Sequence, residues 1–176
     1  ILGPSANEPF VISGPKIRKF GDEYKLYYLA GSEWINHKGK PEIVYKIRMA
    51  ISKDGINWLK KDTNIIDDVL GKNECQAGPD VFFKDGRYHM YFVYREGFEF
   101  RTQKDRGYKI GYAISTDSIN WERRDHKSGI QYSESGWDSK MQHYPHVFKL
   151  NNNHYMLYNG NEFGKYGFGL AMLDNE

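Results

Sequence analysis

The sequence has one cysteine, Cys75, in 176 residues, so no internal disulfide framework can form. A lone thiol fits a reducing compartment and leans the expected location toward the cytoplasm, without fixing it. Cys75 has no cationic neighbour in sequence and no paired motif, which argues against a nucleophile. No apolar run approaches the ~18 residues that a membrane-spanning helix needs. Mean hydropathy of −0.76 and 27% charged residues describe a solvated surface, and no membrane partner is expected. Lysine and arginine nowhere cluster, and a net charge of +2 is too small to point to nucleic acid. Helix-forming stretches are scarce. The chain starts at Ile1 without an initiator methionine or signal-like leader, and is expected to be a piece of something longer.

What is abundant is aromatic residues, 16% of the chain with 14 Tyr and 4 Trp, and 18 Gly. That mixture favours many short strands joined by tight turns. Strand packing accounts for most of the rings, with stacking on sugar as the second use. Residues 74–95, ECQAGPDVFFKDGRYHMYFVYR, set the pattern: a Gly-Pro opening, an apolar strand, a Lys-Asp-Gly-Arg turn and an aromatic return strand.

The rest of the chain copies this hairpin. An extended lead-in covers residues 1–13, where Pro4 and Pro9 discourage helix. The first copy opens at Gly14-Pro15, turns at Gly21-Asp22, returns along 24–29 and passes through a loop expected over 30–42. A third strand over 45–52, a Lys53-Asp54-Gly55 turn and Asn57-Trp58 follow. The second copy opens at Gly78-Pro79; its segment 108–115 matches 45–52, and Thr116 to Trp121 match Lys53 to Trp58. The two Trp lie 63 positions apart and the Gly-Pro pairs 64 apart. The third copy starts at Tyr144-Pro145, hairpins through Asn151 to Asn153, and stops before a fourth strand.

Four short strands per repeat, with turn residues at fixed offsets, is the signature of propeller blades. The predicted fold is all-β, a β-propeller of four-stranded antiparallel blades. The predicted units are a lead-in at 1–13, blades at 14–66 and 74–130, and an incomplete blade at 137–176. At about 63 residues per blade, about 2.8 blades are present, too few for a ring of the usual size. A propeller closes to remove its sheet edges. The missing blades, or a second copy of the chain, must therefore complete the ring.

Blade geometry sorts the loops. Turns at Gly21-Asp22, Asp85-Gly86, Asn151–Asn153, Asp54-Gly55 and Asp117-Ser118 fall at one end and are structural. The opposite face collects Ser13, residues 74–77 and 137–143, together with Glu33, Trp34, Arg95, Glu96, Asn159, Asn161 and Glu162. Carboxylates, imidazoles, amides and indoles gathered on one face suit sugar chemistry. Glycosidic hydrolysis usually needs two carboxyl groups, one of them protonated. Glu74 is the candidate acid, partial desolvation keeping it protonated; the alternative is a solvated linker residue. Arg95 either clamps an anion or joins two blades. His143 and His146 point to opposite sides of their strand, so at most one faces the axis. Asp138 either meets substrate or caps a turn. Trp34 and Trp137 are placed to stack on sugar, whereas Trp58 and Trp121 are blade core.

These residues resemble the five-bladed β-propeller glycosidases, the superfamily of glycoside hydrolase families 32, 43, 62, 68 and 130. The likeness rests on the Gly-Pro openings, the Tyr-rich second strands and Ala-Ile-Ser-x-Asp-x-Ile-Asn-Trp. Gly136-Trp137-Asp138-Ser139-Lys140-Met141, Tyr158-Asn159-Gly160-Asn161 and Gly167-Phe168-Gly169-Leu170-Ala171 are similar to a final blade, which makes the chain blades three to five. Family 43 enzymes place their acid in Glu-Gly-Pro, where this chain has Ser13-Gly14-Pro15. Family 32 enzymes place theirs in Glu-Cys before Pro-Asp. Glu74-Cys75 precedes Pro79-Asp80 here with three residues between, so the resemblance implies Glu74 as proton donor. It also implies that no cofactor is required and that one axial metal ion can sit near His143.

The expected function is therefore hydrolysis of glycosidic bonds in oligo- or polysaccharides, typical of bacterial carbohydrate metabolism. Trp34, Glu33, Arg95, Trp137, Asp138, His143, His146, Asn159 and Asn161 would grip the carbohydrate. The fragment alone is expected to be inactive. A phosphorylase of the same fold, a non-catalytic carbohydrate-binding propeller and a six-bladed ring closed by two copies are the rival readings.

Overall fold

The structure, a computed structural model, describes residues 2–173. Three antiparallel sheets follow one another along the chain. The first is the meander β1 (Ile12–Phe20), β2 (Glu23–His37), β3 (Lys40–Ser52) and β4 (Leu59–Lys60). The second repeats it with β5 (Cys75–Lys84), β6 (Arg87–Arg95), β7 (Lys109–Ser115) and β8 (Glu122–Arg123). The third has β9 (His143–Leu150), β10 (Asn153–Asn159) and β11 (Phe168–Met172), and among the described residues no fourth strand.

The repeated Ser-x-Asp-x-Ile-Asn motif has a local cause. Asp54 Oδ1 accepts the backbone N–H groups of Ile56 and Asn57 at 2.8 Å, and Ser52 Oγ donates to it at 2.9 Å. Asp117 does the same for Ile119, Asn120 and Ser115. The side chain thus closes the turn that sends the chain into the outer strand.

Period-two alternation then divides each strand between two neighbours. Met90 and Phe92 of β6 pack with Val81 against Tyr27, Ile47 and Met49 of the first sheet. Tyr91 and Val93, on the other side of β6, pack against Val147, Met156 and Tyr158 of the third. Gly111 has no side chain because Phe92 fills its place: a Cβ there would lie 2.5 Å from the ring. Trp121 packs edge-on against Tyr27 at 6.0 Å, and Trp58 packs beside Tyr28 and Ala50, as blade residues. The lead-in covers the free face of the first sheet. Its Glu8, fully buried, accepts the Tyr28 hydroxyl at 2.8 Å and pairs with Lys60.

Residues 30–42 are not a loop: β2 and β3 stay paired out to His37 and Lys40 and form a long hairpin arm. Lys38 and Gly39 both have positive φ, 52° and 79°, the two-residue turn that matches strand twist. Trp34, Ile35, Ile43 and Val44 supply residues that favour an extended chain.

The sheets stand side by side with β1, β5 and β9 as neighbouring inner strands. Arg18 of β1 pairs with Asp80 of β5 and donates to the Val81 carbonyl at 2.8 Å. Asp80 in turn accepts the Val147 N–H of β9 at 2.6 Å.

Candidate functional site

The two ends of the sheets differ in character. At the turn end, Tyr27 donates to the Ser118 carbonyl at 2.8 Å and Phe20 meets Tyr88 at 4.8 Å. At the other end the three inner strands each carry a bulge before proline, with left-handed backbone at Gly14 (φ 61°), Gly78 (φ 58°) and Tyr144 (φ 56°). Two repeats use glycine there; the third uses a tyrosine that is 54% exposed. A side chain in that conformation costs roughly 1–2 kcal/mol.

A second strained segment stands beside it. After β10 the chain makes a short turn at Asn161–Gly164, with Glu162 at φ 53° and Phe163 at φ 58°. Gly164 suits its left-handed φ of 90°, and a Cβ there would fall 2.1 Å from the Asn159 side-chain amide. Phe163, 42% exposed, lies 5.2 Å from the His143 ring, and Tyr144 lies 4.7 Å from it. Left-handed backbone on non-glycine residues gathers at functional sites. Here it presents two aromatic rings to solvent over one buried imidazole.

His143 is fully buried, and neither ring nitrogen makes a hydrogen bond of normal geometry. Burial pushes its pKa down to about 4, against a smaller opposing pull from the Gly160 backbone. Tyr108 lies 5.6 Å away, edge-on. The rings of Tyr108, Tyr144 and Phe163 surround His143. Among the described residues no three His, Cys, Asp or Glu side chains converge as metal ligands.

A cleft of about 610 Å³ opens at the same end, between the loop after β6 and the segments flanking β9 and β10. Asn161 builds its floor. Its Oδ1 accepts the Lys140 and Met141 N–H groups at 2.8 and 3.0 Å, and its Nδ2 donates to the Gly136 carbonyl at 2.9 Å. Trp137 lines the cleft while tilted against Tyr158 at 5.2 Å. Asp138 is buried behind it, accepting from Gln142 at 3.1 Å and Tyr158 at 3.0 Å. Burial pushes its pKa up, yet hydrogen bonds from Ser133, Gln142 and Tyr158 outweigh it and hold the carboxyl below its ordinary value.

Other sequence-expected residues lie elsewhere or do other work. Glu74 is not a solvated linker residue. It is fully buried, its Oε2 accepts the Val69 and Leu70 N–H groups at 2.8 Å, and its Oε1 meets Arg123 at 2.6 Å and Gln76 at 2.9 Å. Four donors make it the anchor of the inter-sheet linker. Arg95 cannot clamp a ligand as expected: it is 3% exposed, 3.5 Å above the Phe100 ring, with Nε donating to Tyr45 at 3.1 Å and Nη1 to the Glu96 carbonyl at 2.7 Å. Its guanidinium supports Phe100, a wall of the cleft. Glu33 and Trp34 are exposed on the hairpin arm, Trp34 edge-on to Phe10 at 6.2 Å. Asn159 pairs with His143 across the β9–β10 ladder.

His146, half exposed, stands apart from His143, 3.1 Å from Asp80 and 3.4 Å from Lys16. Lys16, Asp80 and His146 each follow the proline of their repeat, so one register position from three sheets converges. That alignment was legible in the sequence and would have singled out Asp80. It would equally have singled out Tyr144 as the tyrosine where the other repeats have glycine. Nothing local marked Phe163.

No family model matches the chain. It is 35% identical to an uncharacterized protein of Mycobacterium tuberculosis over 175 residues, 99% of this chain and 55% of that protein. The chain thus spans about half the length of this curated relative. It is 29% identical to a 1,2-beta-oligomannan phosphorylase of Thermoanaerobacter over 124 residues, 69% of this chain and 37% of that one. A solved glycoside hydrolase superimposes with a TM-score of 0.71 at 17% identity, over 98% of this chain and 48% of its own. A family 117 glycoside hydrolase of Zobellia galactanivorans gives 0.70 at 18%, over 93% and 52%. The resemblance read from the motifs holds at the level of the fold, which this chain shares with propeller glycoside hydrolases.

Proposed function

We propose that the chain is part of a five-bladed propeller that acts on glycosidic bonds, and that its share of the work is to hold carbohydrate at the bulged ends of the inner strands. The observation that carries this is Tyr144 and Phe163: two exposed rings kept in costly left-handed backbone, over His143. Sugar rings present C–H faces that stack on such surfaces, while hydroxyls reach polar groups of the adjoining cleft. Shared fold with glycoside hydrolases supports the substrate class. Glu74, the expected proton donor, is held as an anchor, so the reacting carboxyls belong among inner-strand ends of the longer protein. Further blades, or a second copy, would complete the wall around the ligand.

The test is calorimetric titration of this chain with a panel of neutral and acidic oligosaccharides, followed by Tyr144→Ala and Phe163→Ala. Loss of one stacking ring should weaken binding about tenfold. Unaltered affinity in both variants, or no saccharide binding at all, would remove the reading. Phosphorolysis is the second reading, favoured by the similarity to the oligomannan phosphorylase. The longer protein would then release a sugar 1-phosphate only when inorganic phosphate is supplied.

A further inference from the structure

We propose that the cleft beside Tyr144 and Phe163 selects an acidic saccharide, one whose sugar carries a carboxylate or a sulfate ester; this rests on the carbohydrate reading above. The lining is strongly one-signed. Arg101 and Lys104 project from the loop after β6, and Lys140 from the opposite wall before β9. Lys104 and Lys140 are exposed, and among the described residues neither ammonium group has a partner. Arg101 lies 4.1 Å over the Phe100 ring, and among the described residues its one carboxylate contact is Glu42 at 3.4 Å. Among the described residues the one acid on the lining, Glu162, is already paired with Lys165 at 3.0 Å. The cleft therefore keeps a positive excess, though the chain as a whole carries only +2.

The arrangement suits an extended ligand better than a free inorganic anion. Cations stand on two walls with the rings of Trp137 and Tyr166 among them. A small oxyanion is usually cradled by converging backbone N–H groups. The Lys140 and Met141 N–H groups that could form such a cradle are already given to Asn161 Oδ1. What remains is charge at the rim and aromatic surface between, which fits a sugar bearing its own negative group.

The experiment titrates the 176-residue chain by calorimetry with a trigalacturonide, a sulfated neutral trisaccharide and the unmodified neutral trisaccharide, at low and high salt. The acidic ligands should bind about tenfold more tightly than the neutral one at low salt, and the advantage should shrink as screening rises. Which of the two acidic arms gains more identifies the anion. Lys104→Gln with Lys140→Gln should bring the acidic-to-neutral affinity ratio to about one, whereas Lys53→Gln, at the turn end, should leave it. Equal affinity for acidic and neutral ligands would overturn the inference while sparing the carbohydrate reading. So would displacement of the acidic ligand by millimolar inorganic phosphate. Absence of any saccharide binding would overturn both.

Discussion

Arg123 and Glu74 lie 49 residues apart and meet at 2.6 Å, tying the outer strand of the second sheet to the start of its inner strand. The Arg123 guanidinium also lies 4.3 Å over the Tyr94 ring, and its side chain is 5% exposed. A buried ion pair of this kind adds little over an apolar pair, but breaking it strands one charge.

Glu74→Gln should therefore destabilise the fold by about 3–5 kcal/mol, read as a lower urea midpoint with unchanged slope. Arg123→Met should cost a comparable amount, and the double variant less than the sum. Wild-type stability for Glu74→Gln, with turnover lost in the longer protein, would restore Glu74 as the acid.

Asp80→Asn should loosen the inner strands, because one carboxylate serves Arg18, the Val147 N–H and His146. The expected loss is about 3 kcal/mol, and Arg18→Met, with its side chain 29% exposed, should lose less. Amide exchange would show where: protection should fall first at the β5–β9 contact. Uniform loss across all three sheets would contradict the hub.

His143 makes stability depend on pH in a defined window. Its folded pKa is lowered to about 4, below an ordinary 6.5, so the unfolded chain binds the proton first. Its contribution is full above pH 6.5, falls as the pH drops toward 4, and changes no further below that. The span is about 3 kcal/mol. His143→Phe should flatten the urea midpoint between pH 4 and 6.5; an unchanged slope would place the titration on another group.

Tyr144→Gly should raise stability by roughly 1 kcal/mol, because glycine meets the left-handed bulge without a Cβ clash, as Gly14 and Gly78 already do. The same variant should weaken saccharide binding about tenfold. Gain in one and loss in the other is the signature of strain kept for a ligand. A destabilised variant would mean that the ring is needed for packing on His143.

The blade plan is written in short stretches of the chain. Strand alternation, Gly-Pro bulges and the Asp54 and Asp117 turns are local rules, each contained within a few residues, so spacing alone reveals them. The hairpin arm was missed because its turn, Lys38-Gly39, carries no Asn-Gly or Asp-Gly signal. Which polar groups face a ligand was decided only by tertiary structure. Glu74 and Arg95 both sit at sheet ends, yet Arg123 claims the first and the Tyr45, Phe100 and Tyr108 rings enclose the second. Partners 49 and 50 residues away set those outcomes. Burial and charge pairing are properties of assembled sheets, and no window of sequence contains them.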